Sequence, residues 1–345
     1  MLAEQIQLLK TPVGQPQAAD FALRQVVLPA PSDGEVLVEV LAVSLDPYQR
    51  IAMAGRHLTA AVRPGDVVPA EGLVKVLASK HPEYAQGQVL VAPCGWRSHA
   101  KLGLAELALA RTVLASLPSP TLALGVLGMP GLSAWAGFHR LCVARPGQTL
   151  VVSAAAGPVG ATVGQLARLA GCRVIGIASG ARKCEWLQRV AGFDACIDRG
   201  TQDLGSELDR LCPKGVDIYF DNVGGRILEA LARRLSPGGR LVLCGLAAQH
   251  CGEETASLDP VAIIRARASV HGLVVYDHVQ DFPTMQQEFI HLIRQGRLHY
   301  LEDIAEGLAM APGAFMRLMR GENLGKALVL LRNGQTTSMA TEGRD

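Results

Sequence analysis

Aromatic residues are scarce in this chain of 345 residues, with Trp, Tyr and Phe together at 4%. Charged residues are also few, at 19%, and almost balanced, leaving a formal net charge of +2. Lys and Arg are interspersed with Asp and Glu, which argues against nucleic acid as the main partner, because a binding face needs clustered positive charge. The eight cysteines (Cys94, Cys142, Cys172, Cys184, Cys196, Cys212, Cys244 and Cys251) include no C-x-x-C pair. Neither a disulfide framework nor a zinc lobe is indicated, and most of these thiols fall in apolar patterns where they act as small hydrophobes. A continuous membrane-length apolar helix is missing too. Residues 112–138 are uncharged but contain Pro118, Pro120 and Pro130, and residues 146–167 are broken at Gly157-Pro158. The first ten residues are too polar for a secretory signal, so a cytoplasmic location is expected and no membrane partner.

What remains is an Ala/Val/Leu/Gly-rich chain with 49% hydrophobic residues, long enough for two domains. It is organised around residues 148–183. An apolar, β-branched run over 149–154 predicts a strand, and helical spacing over 159–169 predicts a helix. Between them lies Ala155-Ala156-Gly157-Pro158. Proline suits the first helical position, where its absent N–H had no intrahelical partner. Gly157 and Gly160 leave the backbone bare at a helix end that carries roughly +0.5 charge, a place for a pyrophosphate. Against G-x-G-x-x-G, Ala155 replaces the first glycine and Gly157 and Gly160 are the second and third. The match is loose, but a second strand at 172–177 completes the βαβ unit that the fingerprint requires.

Near the end of that second strand an NAD enzyme places a carboxylate for the ribose 2′-hydroxyl. Here the chain reads Ala178-Ser179-Gly180. No acid is there to repel a 2′-phosphate, and Arg182, Lys183 and Arg199 can pair with one, so the expected cofactor is NADP (NADPH), with Ser179 beside it. The plainer reading of each cation is a solvated surface charge.

Residues 1–110 show alternating runs at 35–43, 67–77 and 88–92 separated by Pro/Gly/Asp turns, which predicts a compact, mostly β domain. Asp46-Pro47 initiates a turn that presents Tyr48 either to a ligand or to packing under a loop. At 128–135 a turn enters a helix, with an interdomain hinge just before it; Met129 and Trp135 line an apolar cleft or pack in the core. From 149 to about 295 strands and helices alternate, the rhythm of a doubly wound parallel sheet. Strands are expected at 195–197, 216–220, 240–244 and 269–275, and helices at 181–191, 202–211, 226–235, 260–267 and 282–294. Ligands then sit beyond the strand ends, at 221–225, 245–251 and 276–278. His250 titrates near neutral pH and is either functional or an idle surface histidine. The strand at 327–331 has no partner in this alternation and should return to the first domain, while residues 333–345 are expected to be disordered.

Together, the motifs at 128–135, 154–160, 220–225 and 321–326 resemble those of the zinc-independent medium-chain dehydrogenase/reductases, and within them the leukotriene B4 12-hydroxydehydrogenase, prostaglandin reductase and alkenal double-bond reductase group. The likeness runs from Ser44 to Lys326. It implies an α/β fold: a GroES-like domain (1–122, completed by 301–332) and a Rossmann-type doubly wound NADP-binding domain (123–300). It also implies a homodimer, no metal, and NADPH-dependent reduction of a C=C bond conjugated to a carbonyl. By matching position the cofactor would meet Gly157, Pro158, Val159 and Gly160, with Lys183 and Arg199 at the 2′-phosphate. Asn222, Cys244, Gly245, Leu246, His250, Leu273, Val274, Val275 and Asn323 would surround the rest, with Tyr48, Met129, Trp135 and Tyr276 toward a small activated alkene.

Two positions depart from the group. Arg199 stands where it commonly has tyrosine, a change that should strengthen hold on a phosphate. His250 stands where it commonly has a tyrosine by the nicotinamide, which leaves the proton donor open among water, Tyr48 and His250, with the imidazole the sharper choice. An NADPH:quinone reductase and a non-catalytic NADPH sensor are the competing functions.

Overall fold

The computed structural model describes residues 1–55, 61–114, 117–248 and 257–331. The chain opens with an antiparallel ribbon, β1 (Leu2–Leu8) and β2 (Phe21–Val27). The alternating run at 35–43 becomes β3 (Val36–Ser44), and after Asp46-Pro47 a short helix α1 (Tyr48–Met53) begins with Tyr48. There follow β4 (Glu71–Ser79), β5 (Val89–Pro93), β6 (His99–Leu102), the one-turn α2 (Leu104–Leu107) and β7 (Arg111–Thr112).

A 3₁₀ turn at Pro120–Leu124 leads to α3 (Met129–Ala136), which runs on through a π-helical turn, Gly137–Cys142. The alternating half is then β8 (Thr149–Ser153), α4 (Pro158–Leu169), β9 (Arg173–Ala178), α5 (Ala181–Arg189), β10 (Ala195–Asp198) and α6 (Leu204–Leu211). It continues as β11 (Val216–Asp221), α7 (Gly225–Ala232), β12 (Leu235–Leu243), α8 (Pro260–Ala266), β13 (Ser269–Gly272) and α9 (Phe282–Arg294). All six strands are parallel in the order β10-β9-β8-β11-β12-β13. The winding reverses between β8 and β11, which opens the crevice where such sheets take ligands. The central strands are apolar on both faces because helices cover both sides: Leu150, Val151, Val152, Val174 and Ile175 are fully buried.

The chain closes with β14 (Glu302–Glu306), α10 (Ala311–Met319) and β15 (Lys326–Leu330). As its lack of a sequential partner implied, β15 joins the first lobe: it pairs antiparallel with β3 and parallel with β14 in a sheet ordered β14-β15-β3-β4-β5-β7, with β6 also on β3. Beneath that sheet Trp96 packs on Phe21 and Phe315 at ring-centroid distances of 5.6 and 5.5 Å.

Several boundaries differ from the sequence reading, two of them for a reason visible in the strand pairing. β13 stops at Gly272 rather than 275 because its one neighbour, β12, ends at Leu243 opposite Gly272; the chain beyond coils into a 3₁₀ turn, Val275–Asp281. β12 begins earlier than 240, since Pro237-Gly238-Gly239 is absorbed as an irregularity in the pairing with β11, with Gly238 at φ +78°. Among the described residues no helix is long and apolar enough to cross a membrane. The tail at 333–345, expected to be disordered, and the stretch 249–256 lie outside the described residues.

Helix α4 lies close to the sheet because Gly160, Gly164 and Gly176 present no side chain. A Cβ on Gly164 would overlap the ring of Phe193, itself packed in the core. Gly164→Ala should therefore cost about 1–3 kcal/mol through overpacking, despite the better helix propensity of alanine, and a lower urea midpoint with unchanged slope is the expected reading.

Candidate active site

At the switch point the end of β8 turns into α4 through Ala154–Gly157. Ala154 takes the left-handed conformation, φ +48°, and its carbonyl accepts from the Gly157 N–H at 2.9 Å. A Cβ on Gly160 would lie 2.6 Å from the Ala154 oxygen, so this position must be bare for the turn to close. Gly157 is the N-cap and Pro158 the first helical residue, as the sequence predicts. The first N–H groups of α4 have no intrahelical partner and point out of the crevice end of the helix.

The neighbouring strand end is held by a carboxylate. Asp221 is fully buried and accepts from the Ser153 hydroxyl at 2.8 Å, the Tyr219 hydroxyl at 2.6 Å and the Val223 and Gly224 amides at 3.0 Å. Burial, then the adjacent Asp221, drives the Tyr219 phenol well above its ordinary value. Asn222 is fixed from both ends: its amide N–H reaches Ser153 Oγ and its Nδ2 reaches the Ser153 carbonyl, each at 2.8 Å. Cys244 and Gly245 donate their N–H groups to the Asp221 carbonyl, and a Cβ on Gly245 would meet the Asn222 oxygen at 2.9 Å. Leu273 donates to the Leu243 carbonyl, which places 273–275 at the end of β13 beside this group. Gly157–Gly160, Asn222, Cys244–Leu246 and Leu273–Val275 thus follow the carboxyl ends of four adjacent strands, β8, β11, β12 and β13.

At the outer end of the crevice stand the cations. Arg199 Nε donates to Ser179 Oγ at 2.7 Å, and Lys183 Nζ donates to the Gly321 carbonyl. Burial, then the nearby Arg199, pulls the Lys183 ammonium below its usual pKa, the response of two cations crowded at one point. Arg182 is exposed. Asp198, which the sequence reading passed over, sits at the same end with its carboxylate engaged by the Gly180 and Gly200 amides at 2.9 and 3.0 Å; those bonds lower its pKa. The C-terminal motif covers the loop from behind. Gly325 N–H donates to the Ala156 carbonyl at 3.1 Å, and Asn323 Nδ2 to the Gly325 carbonyl at 2.8 Å.

The inner end lies between the lobes. Burial raises the pKa of both Tyr48 and Tyr276, and the charges of Asp46 and Glu71 add to the shift in each. Glu71 is gripped by both arms of Arg111, at 2.8 and 3.1 Å, and the Arg111 guanidinium lies 4.7 Å above the ring of Phe282 from the other lobe. Met129 starts α3, half-buried against the core. Trp135 is placed in that core instead of a cleft: it is 6% exposed, and its Nε1 donates to Glu288 on α9 at 2.7 Å. Apolar neighbours on a packed helix face and an acid waiting for its N–H decide its position. His250 lies outside the described residues. Among those described, no group of three or more His, Cys, Asp or Glu stands close enough to hold a metal ion. Five of the described cysteines are buried, and burial pushes the Cys94 and Cys244 thiols up to about 12.

Under the glycine loop a cavity of about 20 Å³ is lined by Gly157, Pro158, Thr162, Glu302 and Lys326 among others. Glu302 Oε2 accepts from the Thr121 hydroxyl at 3.0 Å, while Oε1 is buried with no hydrogen-bond partner, and burial raises its pKa. A carboxyl whose folded pKa is raised favours the fold below its unfolded value, near 4.3, and loses that contribution as pH rises through the folded value. Glu302→Gln keeps the Thr121 bond and removes the buried charge. It should unfold at a higher temperature than the parent at pH 7 and at the same temperature at pH 4, in paired melting scans.

Two family models match, one described as the N-terminal domain of oxidoreductase over residues 4–108 and one as zinc-binding dehydrogenase over 158–291. The chain is 35% identical to the NADPH-dependent curcumin reductase of Escherichia coli (strain K12), over 93% of this chain and 95% of that one. It is 36% identical to prostaglandin reductase 1 of Bos taurus, over 92% and 95%. The solved structure of CurA from Vibrio vulnificus in complex with NADPH superposes with a TM-score of 0.89 at 36% identity, covering 96% of this chain and 99% of that one. The chain is an oxidoreductase of the medium-chain dehydrogenase/reductase family, in the zinc-independent group of prostaglandin and alkenal double-bond reductases.

Proposed function

We propose that the protein uses NADPH to reduce the carbon–carbon double bond of an α,β-unsaturated aldehyde or ketone, an alkenal, enone or 15-oxoprostaglandin-like compound. The observation that carries this reading is the switch point itself, where the bare backbone of Gly157 and Gly160 opens α4 and Arg199, bonded to Ser179, stands with Lys183 after the neighbouring strands. The residues fit the cofactor: the bare backbone at Gly157 and Gly160 would hold the pyrophosphate, and Lys183, Arg199 and Ser179 the 2′-phosphate. Pro158 and Val159 complete that turn, and Asn222, Cys244, Gly245, Leu246, Leu273, Val274, Val275 and Asn323 would line the remainder. The named relatives and the NADPH-bound neighbour support the same choice.

When bound, the cofactor supplies a hydride to the β-carbon. The chain's task is then to hold the alkene in line, exclude water and hydrogen-bond the developing enolate oxygen. Tyr48 and Tyr276 suit that last role because a phenol is a protonated donor at neutral pH. Protonation at the α-carbon falls to water, Tyr48 or His250. On this reading the lobes divide as 1–122 with 301–332, and 123–300. The chain pairs as a homodimer through β13, an edge strand flanked by the exposed Val261, Ile264, Val270 and Val274.

Four measurements test this reading. Arg199→Ala should weaken NADPH binding by about tenfold, the worth of one charge-assisted hydrogen bond, and leave NADH binding within about twofold, read by titration of reduced-nicotinamide fluorescence. Tyr48→Phe and His250→Phe should lower turnover of 2-alkenals with NADPH affinity nearly unchanged; full turnover in both removes them from the mechanism. Faster oxidation of NADPH with quinones than with enals would instead favour a quinone reductase, and tight NADPH binding with no turnover on any activated alkene a sensor. Sedimentation of the parent as a dimer and of Val270→Lys as a monomer is the outcome that the edge pairing requires.

A further inference from the structure

Lys326 is 2% exposed, and its ammonium is directed away from the cofactor crevice toward the first lobe. Nζ donates to the Leu45 carbonyl at 2.8 Å and to Asp46 Oδ1 at 2.5 Å. The other Asp46 oxygen accepts from the Ser44 hydroxyl, and the Asp46 N–H donates to Gln49 Oε1 at 3.1 Å. Gln49, fully buried, returns Nε2 to the Ser44 and Pro69 carbonyls at 3.0 and 2.9 Å. Every one of these bonds falls on the turn that delivers Tyr48, the first residue of α1, and Pro47 stiffens the step between Asp46 and Tyr48. The residue before Lys326 is Gly325, whose N–H is bonded to Ala156 in the glycine-rich loop and whose bare Cα sits against Leu301. Two adjacent residues at the entry to β15 therefore hold the glycine-rich loop with a backbone bond and the tyrosine turn with a side chain.

We propose that Lys326 is a positioning residue for the reduction: by holding Asp46 and Leu45 at a fixed distance from the glycine-rich loop it sets where the Tyr48 phenol stands against the substrate carbonyl. This rests on the reading of Tyr48 as a substrate-facing group. Lys326 touches neither cofactor nor substrate and acts on the reaction only through Tyr48. A buried ion pair that served the fold alone would behave differently. Its loss would move stability and turnover by the same factor whether or not the phenolic hydroxyl were present.

The test is a cycle on the full chain, measuring kcat and KM for a 2-alkenal and the NADPH dissociation constant for the parent, Lys326→Met, Tyr48→Phe and the double variant. Tyr48→Phe should lower kcat about tenfold or more, as loss of a positioned proton-bearing group does. Lys326→Met should lower kcat several-fold in the parent with NADPH affinity within about twofold, yet lower it no further in the Tyr48→Phe background, because residues acting as a unit are not additive. Asp46→Asn, close to isosteric, repeats the comparison should Lys326→Met fail to fold. Parent-level kcat in Lys326→Met and Asp46→Asn overturns the proposal, as do equal fold-losses in the two backgrounds; the latter leaves the Tyr48 reading standing. Full turnover in Tyr48→Phe sinks that reading and the proposal with it.

Discussion

The site depends on one buried carboxylate. Asp221, with no exposed surface, joins the ends of β8 and β11 by accepting from Ser153, Tyr219 and two amides of the following turn. An uncompensated buried charge would cost several kcal/mol, but four short donors, three of them from β11 and its turn, replace the water it lost. The consequence is geometric. The two strand ends that flank the winding reversal are locked in register, so the glycine loop on one and Asn222 on the other hold a fixed spacing. Cys244 and Gly245 hang from the Asp221 carbonyl and extend the same wall. Strand ends pinned in this way suit a reaction that relies on placement.

A second constraint joins the lobes. The chain leaves the parallel sheet after α9, runs through β14 and α10, and comes back past the loop at Gly325 before entering the first sheet as β15. Gly321 meets Lys183 on the way, and Glu302 and Lys326 close the small cavity behind Gly157. The segment 321–326 thus touches the outer end of the crevice, the back of the loop and the turn before Tyr48. Arg111, stretched over Phe282 and tied to Glu71, supplies a further bridge on the opposite side.

The parallel half was legible because local signals there agree with tertiary demand. A β-branched run, a Gly-Pro turn and a helical period follow one another, and β8, α4 and β9 form within a residue or two of where the pattern puts them. The lone strand at the C-terminus was legible by elimination, since a parallel alternation left it without a neighbour. Other features carry no such signal. Nothing in Ser153, Tyr219 or Asp221 as isolated residues announces that they meet, because strands 68 residues apart bring them together. Lys326 reads as an ordinary polar strand residue until β15 is seen against β3. Trp135 was ambiguous for the opposite reason: an aromatic on a turn-to-helix step suits a cleft and a core equally, and only Glu288, 153 residues away, settles it. The ends of β12 and β13 depended on the neighbouring strand rather than on their own residues.

The two ends of the crevice also differ in how they treat charge, and the difference bears on the chemistry proposed. At the outer end burial and the neighbouring Arg199 lower the Lys183 pKa. At the inner end burial raises the pKa of Tyr48 and Tyr276 and pushes the Cys94 and Cys244 thiols up to about 12. A conjugated enal is an electrophile at the same β-carbon that receives hydride, and a thiolate near it would add there irreversibly or nearly so. The thiolate is the reactive form, and a thiol titrating near 12 presents on the order of 10⁻⁵ of it at neutral pH. Cys94, buried in the core of the first lobe, and Cys244, just past the end of β12, are therefore inert small hydrophobes. Desolvation thus holds these sulfurs in the thiol form and unable to attack, while the phenols need no such help to stay protonated at neutral pH.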